Sequence, residues 1–137
     1  MSELFSWKPE YTVAVQRFDS EHKKLFSLLN ELNDAMSAGQ ARFVVGRILH
    51  ELANYTRTHF AAEVTAMRRT DFSGIGEHIA EHEALAAKVD AFVAEYEAGN
   101  TQLISVDLLY FLRDWLEKHI LETDRKYSHT LNDAGLR

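Results

Sequence analysis

Pro9 is the only proline in the chain, so from Glu10 to Arg137 nothing breaks a helix by removing a backbone donor. Within that stretch the apolar residues recur at steps of three and four, the spacing that lines one face of an α-helix. His22, Leu25, Leu29, Leu32 and Met36 form the first such stripe, with Asp19 or Ser20 as the expected N-cap and Gly39 as the stop. Val45, Leu49, Leu52, Thr56, His59, Glu63 and Met67 form the second, over roughly residues 41–70, ending in a turn that contains Gly74 and Gly76. The third runs Ile75, His78, His82, Leu85, Val89, Phe92, Tyr96 up to Gly99 and Asn100. The fourth, starting between Thr101 and Val106, carries Leu108, Leu112, Trp115 and His119.

Four amphipathic helices with short connections predict an all-α fold, an antiparallel up-down-up-down four-helix bundle. A chain of 137 residues with 46% hydrophobic residues suits one such domain, residues 1–137. Residues 1–18, with Trp7, Pro9, Tyr11 and the alternating Val13 and Val15, predict an extended N-terminal arm strapped across the bundle. The bundle then occupies about residues 19–125, followed by a C-terminal tail.

Composition removes several functions. Without cysteine there is no disulfide, thiolate zinc site, iron–sulfur cluster or cysteine nucleophile, so any metal must be held by nitrogen and oxygen. A net charge of -6 and no basic run argue against nucleic acid. No stretch approaches the about 18 apolar residues of a membrane span, and the first 18 residues lack a signal-peptide pattern, so a cytoplasmic protein is expected. The regular polar helix faces favour a monomer.

The unusual feature is where the histidines stand. His22, His59, His78, His82 and His119 fall on seams otherwise built from Leu, Val, Phe and Trp, and Glu63 lies one turn from His59. In an antiparallel bundle the start of the first helix, the late part of the second, the start of the third and the end of the fourth share one end. All five imidazoles therefore converge. A single histidine on an apolar stripe is ordinarily a hydrogen-bonded core residue. Five at one level are different, because each unsatisfied buried polar group costs roughly 1–3 kcal/mol against a total stability of about 5–15 kcal/mol. A shared cation removes that cost. His50, off its seam, and His129, in the tail, are expected at the surface.

Five imidazole nitrogens, the four oxygens of two carboxylates and one shared oxo or hydroxo group fill all but one position of two octahedral ions. That leaves room for one small ligand. The second carboxylate must come from near His119, where an ideal helix favours Glu122 over Asp124, about 140° off the ligand face. From spacing alone both remain open.

The Asp19-Ser20-Glu21-His22-Lys23-Lys24-Leu25-Phe26 segment, Trp7 in the arm, His59-Phe60 followed by Glu63 and Met67, His78 with His82, and Trp115 to His119-Ile120 followed by Asp124 resemble the hemerythrins, in particular the single-domain bacterial members. The position after the bridging glutamate, often a second glutamate in that family, is Val64 here; it is not a ligand position. The resemblance implies two non-haem irons joined by an oxo or hydroxo group. It places His78, His82 and His119 on one iron and His22 and His59 on the other, with Glu63 and Asp124 bridging. It thus selects Asp124 over Glu122, and with it a fourth helix that is distorted or ends after His119. Reversible dioxygen binding at the five-coordinate iron, the one held by His22 and His59, is the implied activity.

The expected function is therefore non-enzymatic: oxygen storage, or delivery to oxygen-consuming enzymes. Leu25, Phe60, Met67 and Trp115 are expected to wall the open position with apolar surface. The rival is a di-iron oxidase or iron-handling protein of the ferritin-like class, which needs two Glu-x-x-His motifs. None of the seven histidines has a glutamate three residues before it.

Overall fold

The computed structural model describes residues 6–99 and 101–137; residues 1–5 of the expected arm, and Asn100 of the third helix break, lie outside them. A short 3-10 turn, Pro9–Tyr11, precedes α1 (Gln16–Ser37), α2 (Ala41–Arg69), α3 (Ile75–Glu97) and α4 (Thr101–Lys118). A π-helical turn, His119–Asp124, then leads into α5 (Arg125–Asp133). Helices α1 to α4 pack as an antiparallel bundle, α1 against α2 and α4, α3 against α2 and α4.

The turns explain the helix ends. Gly39 sits at φ 71 and donates to Met36, closing α1 in the left-handed conformation that glycine adopts without steric cost. At the end of α2 it is Asp71, at φ 56, that takes this conformation, and Gly74 precedes α3 as an ordinary right-handed residue at φ -82. The glycines there are not what stops the helix.

Two further differences from expectation bear on the site. First, α1 begins at Gln16, so neither Asp19 nor Ser20 is its N-cap. Asp19 lies in the first turn, and its carboxylate accepts from the Val13 amide at 2.8 Å and the Thr12 hydroxyl at 2.5 Å. These bonds fasten the arm, in which Tyr11, Val13 and Val15 are buried and Trp7 packs on Phe26. Second, the expected tail is the helix α5, with Tyr127 and Leu131 fully buried and the Asn132 amide donating to the Ala14 carbonyl at 2.9 Å.

Burial divides into two clusters. The larger, including Leu25, Leu29, Leu32, Ile48, Leu49, Phe60, Val89, Leu112 and Leu116, fills the bundle. The smaller joins Val13, Val15, Phe18, Met67, Tyr127 and Leu131 from the arm, α1, α2 and α5. Seam histidines meet both clusters: Phe60 stacks on His82 and Phe18 meets His59 edge-on. No described helix is long and apolar enough to cross a membrane.

Candidate metal centre

Each of the five histidines is no more than 5% exposed, and Glu63 and Asp124 are completely buried. Helix α1 delivers His22, α2 delivers His59 and Glu63 one turn apart, and α3 delivers His78 and His82 in the same way. The remaining pair, His119 and Asp124, bounds the π turn. A π turn bonds residue i to i+5, so residues five apart stand over one another, whereas in an α-helix they point away. The His119 Nε2 atom accordingly lies 2.9 Å from Asp124 Oδ1. Glu122, the ideal-helix alternative, is exposed.

The two carboxylates divide their oxygens in the same manner. Glu63 Oε1 faces Nε2 of His82 at 3.1 Å and of His78 at 3.4 Å, while Oε2 faces Nε2 of His59 at 3.3 Å and of His22 at 3.7 Å. Asp124 Oδ1 faces His78 at 3.0 Å and His119 at 2.9 Å, and its Oδ2 faces His22 at 3.0 Å. Two donor sets result, one of Glu63, His78, His82, His119 and Asp124 and the other of His22, His59 and Glu63, each with its donor atoms within 4.8 Å of one another.

Charge and hydrogen bonding test whether this set suits a cation. Burial disfavours the charged imidazolium, yet the Asp124 and Glu63 carboxylates outweigh it, raising His22 to about 10 and His78 to about 9. Burial would also raise Glu63, but His59, His22 and His78 hold it well below the usual carboxylate range, and Asp124 is lowered by His119 and His22 against both burial and Glu63. His82 differs, because burial outweighs its Glu63 contact and pushes it down. Despite these short approaches, both ring nitrogens of His22, Nε2 of His119 and both oxygens of Asp124 have no hydrogen-bond partner. Glu63 Oε1 does pair with Nε2 of His82 and of His78, but the unpaired atoms that remain are what a cation between them would satisfy. The set is capable of holding a pair of metal ions.

Three polar contacts were not legible in the seam pattern. The Tyr127 hydroxyl donates to Glu63 Oε2 at 2.6 Å, from α5, where no helix was expected. His59 Nδ1 lies 2.6 Å from Glu21, and His119 Nδ1 lies 3.1 Å from Glu81, which also accepts from the Thr123 hydroxyl. Glu21 and Glu81 directly precede His22 and His82 in sequence, the one signal that could have singled them out. Among the apolar candidates, Leu25 and Phe60 are buried in the larger cluster, Phe60 stacking on His82 at 3.7 Å, and the partly buried Trp115 packs against that cluster and stacks on His119 at 4.2 Å. Met67 is also buried but belongs to the smaller cluster, with Tyr127 and Phe18. His50 is exposed, as is His129 at 90%.

Comparison with known proteins agrees with this arrangement. The family described as Hemerythrin HHE cation binding domain matches residues 13–131. A bacteriohemerythrin of Methylococcus capsulatus is 31% identical over 130 residues, covering 94% of this chain and 98% of that protein. A myohemerythrin of Riftia pachyptila is 29% identical over 127 residues, covering 93% of each. The crystal structure of a wild-type hemerythrin superposes with a TM-score of 0.84 at 31% identity, covering 93% of this chain and 98% of that one. Agreement of that extent in sequence, on the same fold and through nearly the full length of both chains, means that the chain belongs to the hemerythrin family.

Proposed function

We propose that the chain binds dioxygen reversibly at a non-haem di-iron centre, for oxygen storage or for delivery to oxygen-requiring enzymes. The observation that carries this is the division of oxygens: Glu63 and Asp124 each turn one oxygen toward a three-histidine set and the other toward a two-histidine set. In this reading both carboxylates bridge. His78, His82 and His119 would hold one iron, and His22 and His59 the other, with an oxo or hydroxo group shared between them. A bound ferrous pair would supply electrons that dioxygen takes up on binding and returns on release. The side held by His22 and His59, with fewer imidazoles, would be the one to take the small ligand.

The chain's own residues do the rest. Tyr127 and the imidazoles hold the two carboxylates in place. Leu25, Phe60 and Trp115 present apolar surface from the bundle side, and Met67 does so from the arm side, and such a lining around the centre would keep water and anions out. An imidazole-rich, carboxylate-poor shell carries less negative charge than a ferritin-like site and favours holding dioxygen over oxidising with it. The proposal extends to a cytoplasmic monomer.

Metal analysis with visible spectra tests the reading. Two irons per chain and a spectrum that appears in air and disappears on removing oxygen, through repeated cycles, are expected. One zinc per chain, or a single irreversible oxidation, would overturn it.

A further inference from the structure

We propose that Glu21 and Glu81 are a matched pair of positioning residues, each orienting one metal-binding imidazole, one for each ion of the pair; this rests on the di-iron reading above. Glu21 on α1 reaches across to His59 on α2, and Glu81 on α3 reaches across to His119 at the end of α4. In both cases the partners are 38 residues apart. Each glutamate is followed directly by another seam histidine, His22 or His82. The α1–α2 and α3–α4 hairpins therefore repeat one device: a Glu-His pair on the first helix, whose histidine faces the centre while its glutamate holds the histidine of the second helix.

The atoms used make this an orienting contact. In both pairs Nδ1 faces the glutamate, at 2.6 Å and 3.1 Å, while Nε2 of the same ring faces Glu63 or Asp124. An Nδ1–H that donates to a carboxylate fixes the tautomer with the Nε2 lone pair directed at the centre and makes that nitrogen a stronger donor. Nδ1 of His22 and of His78 has no hydrogen-bond partner. Of the four, one ring in each donor set is thus anchored by a carboxylate and one is not. Glu81 does more, because it accepts from both His119 Nδ1 and the Thr123 hydroxyl, at 2.9 Å and 2.8 Å to its two oxygens. It thereby ties the first residue of the π turn to the residue before Asp124. Glu77 provides the contrast: it precedes His78 in the same way but is exposed.

The test uses zinc, which needs no oxygen chemistry, in the full-length protein. Zinc affinity by chelator competition and the ring-nitrogen NMR shifts of His59 and His119 are measured for the wild type, Glu21→Ala, Glu21→Gln, Glu81→Ala, Glu81→Gln and Glu77→Ala. The two alanine variants at 21 and 81 should each weaken zinc about 10- to 100-fold and lose the fixed Nδ1–H tautomer of their own histidine. The glutamines, whose amide oxygen still accepts, should restore the tautomer and most of the affinity, and Glu77→Ala should match wild type. Unchanged affinity and unchanged ring shifts in Glu21→Ala and Glu81→Ala would overturn the proposal. So would a loss of folding stability alone, equal with and without metal, which is what a simple ion pair gives. An iron form that fails to cycle with oxygen while the zinc results hold would remove the carrier reading and leave the positioning roles standing.

Discussion

Replacing Tyr127 with phenylalanine deletes one oxygen atom and keeps the ring. That ring is fully buried, packs edge-on against Phe18 and Phe72, and lies 5.5 Å from His78, so its packing should survive. What goes is the 2.6 Å hydrogen bond to Glu63 Oε2. Burial, and then the charges of Glu63 and Asp124, push the phenol well above its ordinary range, so it is protonated and donates to an ionised carboxylate. A hydrogen bond to a charged group contributes about 1.5–3 kcal/mol, and here no water can replace the lost donor. For a domain of this size that corresponds to a fall in melting temperature of about 5–10 °C. Calorimetry of the metal-free protein isolates the effect from metal binding. Tyr127→Ala removes the ring as well and should cost about a further 3–5 kcal/mol. A Tyr127→Phe melting temperature within a degree of wild type would refute the argument that α5 supports the centre through this hydroxyl.

Other substitutions discriminate between buried and surface positions. His82→Ala should lose iron and lower the melting temperature, while His50→Ala should do neither; equal iron content in the two would count against the site. Asp124→Ala should lose iron or the ability to hold oxygen reversibly, and Glu122→Ala should be silent, with the reverse result restoring an ideal fourth helix. Truncating Leu25 to alanine opens a cavity costing about 2–5 kcal/mol, and the oxygenated spectrum should then decay faster with both irons retained; unchanged decay would make this leucine ordinary core. His22 and His78, raised in the metal-free protein to about 10 and about 9, would have to lose their protons to serve as metal ligands. Iron uptake at neutral pH should therefore release protons, and affinity should rise with pH, as pH-indicator titration would record. The same raised values stabilise the metal-free fold fully below about 6.5, the ordinary histidine value, and that stabilisation is lost as pH rises toward about 9–10. Urea midpoints that climb over this range would contradict it.

The bundle and most of its centre were readable because both follow one rule, the three–four spacing of inward-facing residues. That rule placed His22, His59, Glu63, His78 and His82 on shared faces, all of which are buried. It could not see contacts made across helices at right angles to the seam. Glu21 and Glu81 lie on partly exposed flanks and read as ordinary surface charge; only the position of the neighbouring helix turns them toward an imidazole. Tyr127 was hidden for another reason. Residues 125–133 are strongly polar, and Tyr127 and Leu131, the two that the helix buries, stand at helical spacing but are too few to mark an apolar stripe of their own.

The π turn marks where helical spacing stops being a guide, and its cause can be located. With α4 continued as a regular helix, Asp124 would point away from His119, and Glu122, at i+3, would come nearest the centre. The residue that instead packs inward just after His119 is Ile120, completely buried in the larger cluster, with Thr123 and Asp124 buried beyond it and Glu122 exposed. Adding one residue to the turn brings His119 and Asp124 to the same face. It also carries Tyr127 to Glu63 and Leu131 to the arm cluster, in register with the rest of α5. A regular turn would break all three contacts together. The irregular backbone is therefore held in place by side chains on both sides of it, the Glu81 bonds to His119 and Thr123 on one and the burial of α5 on the other.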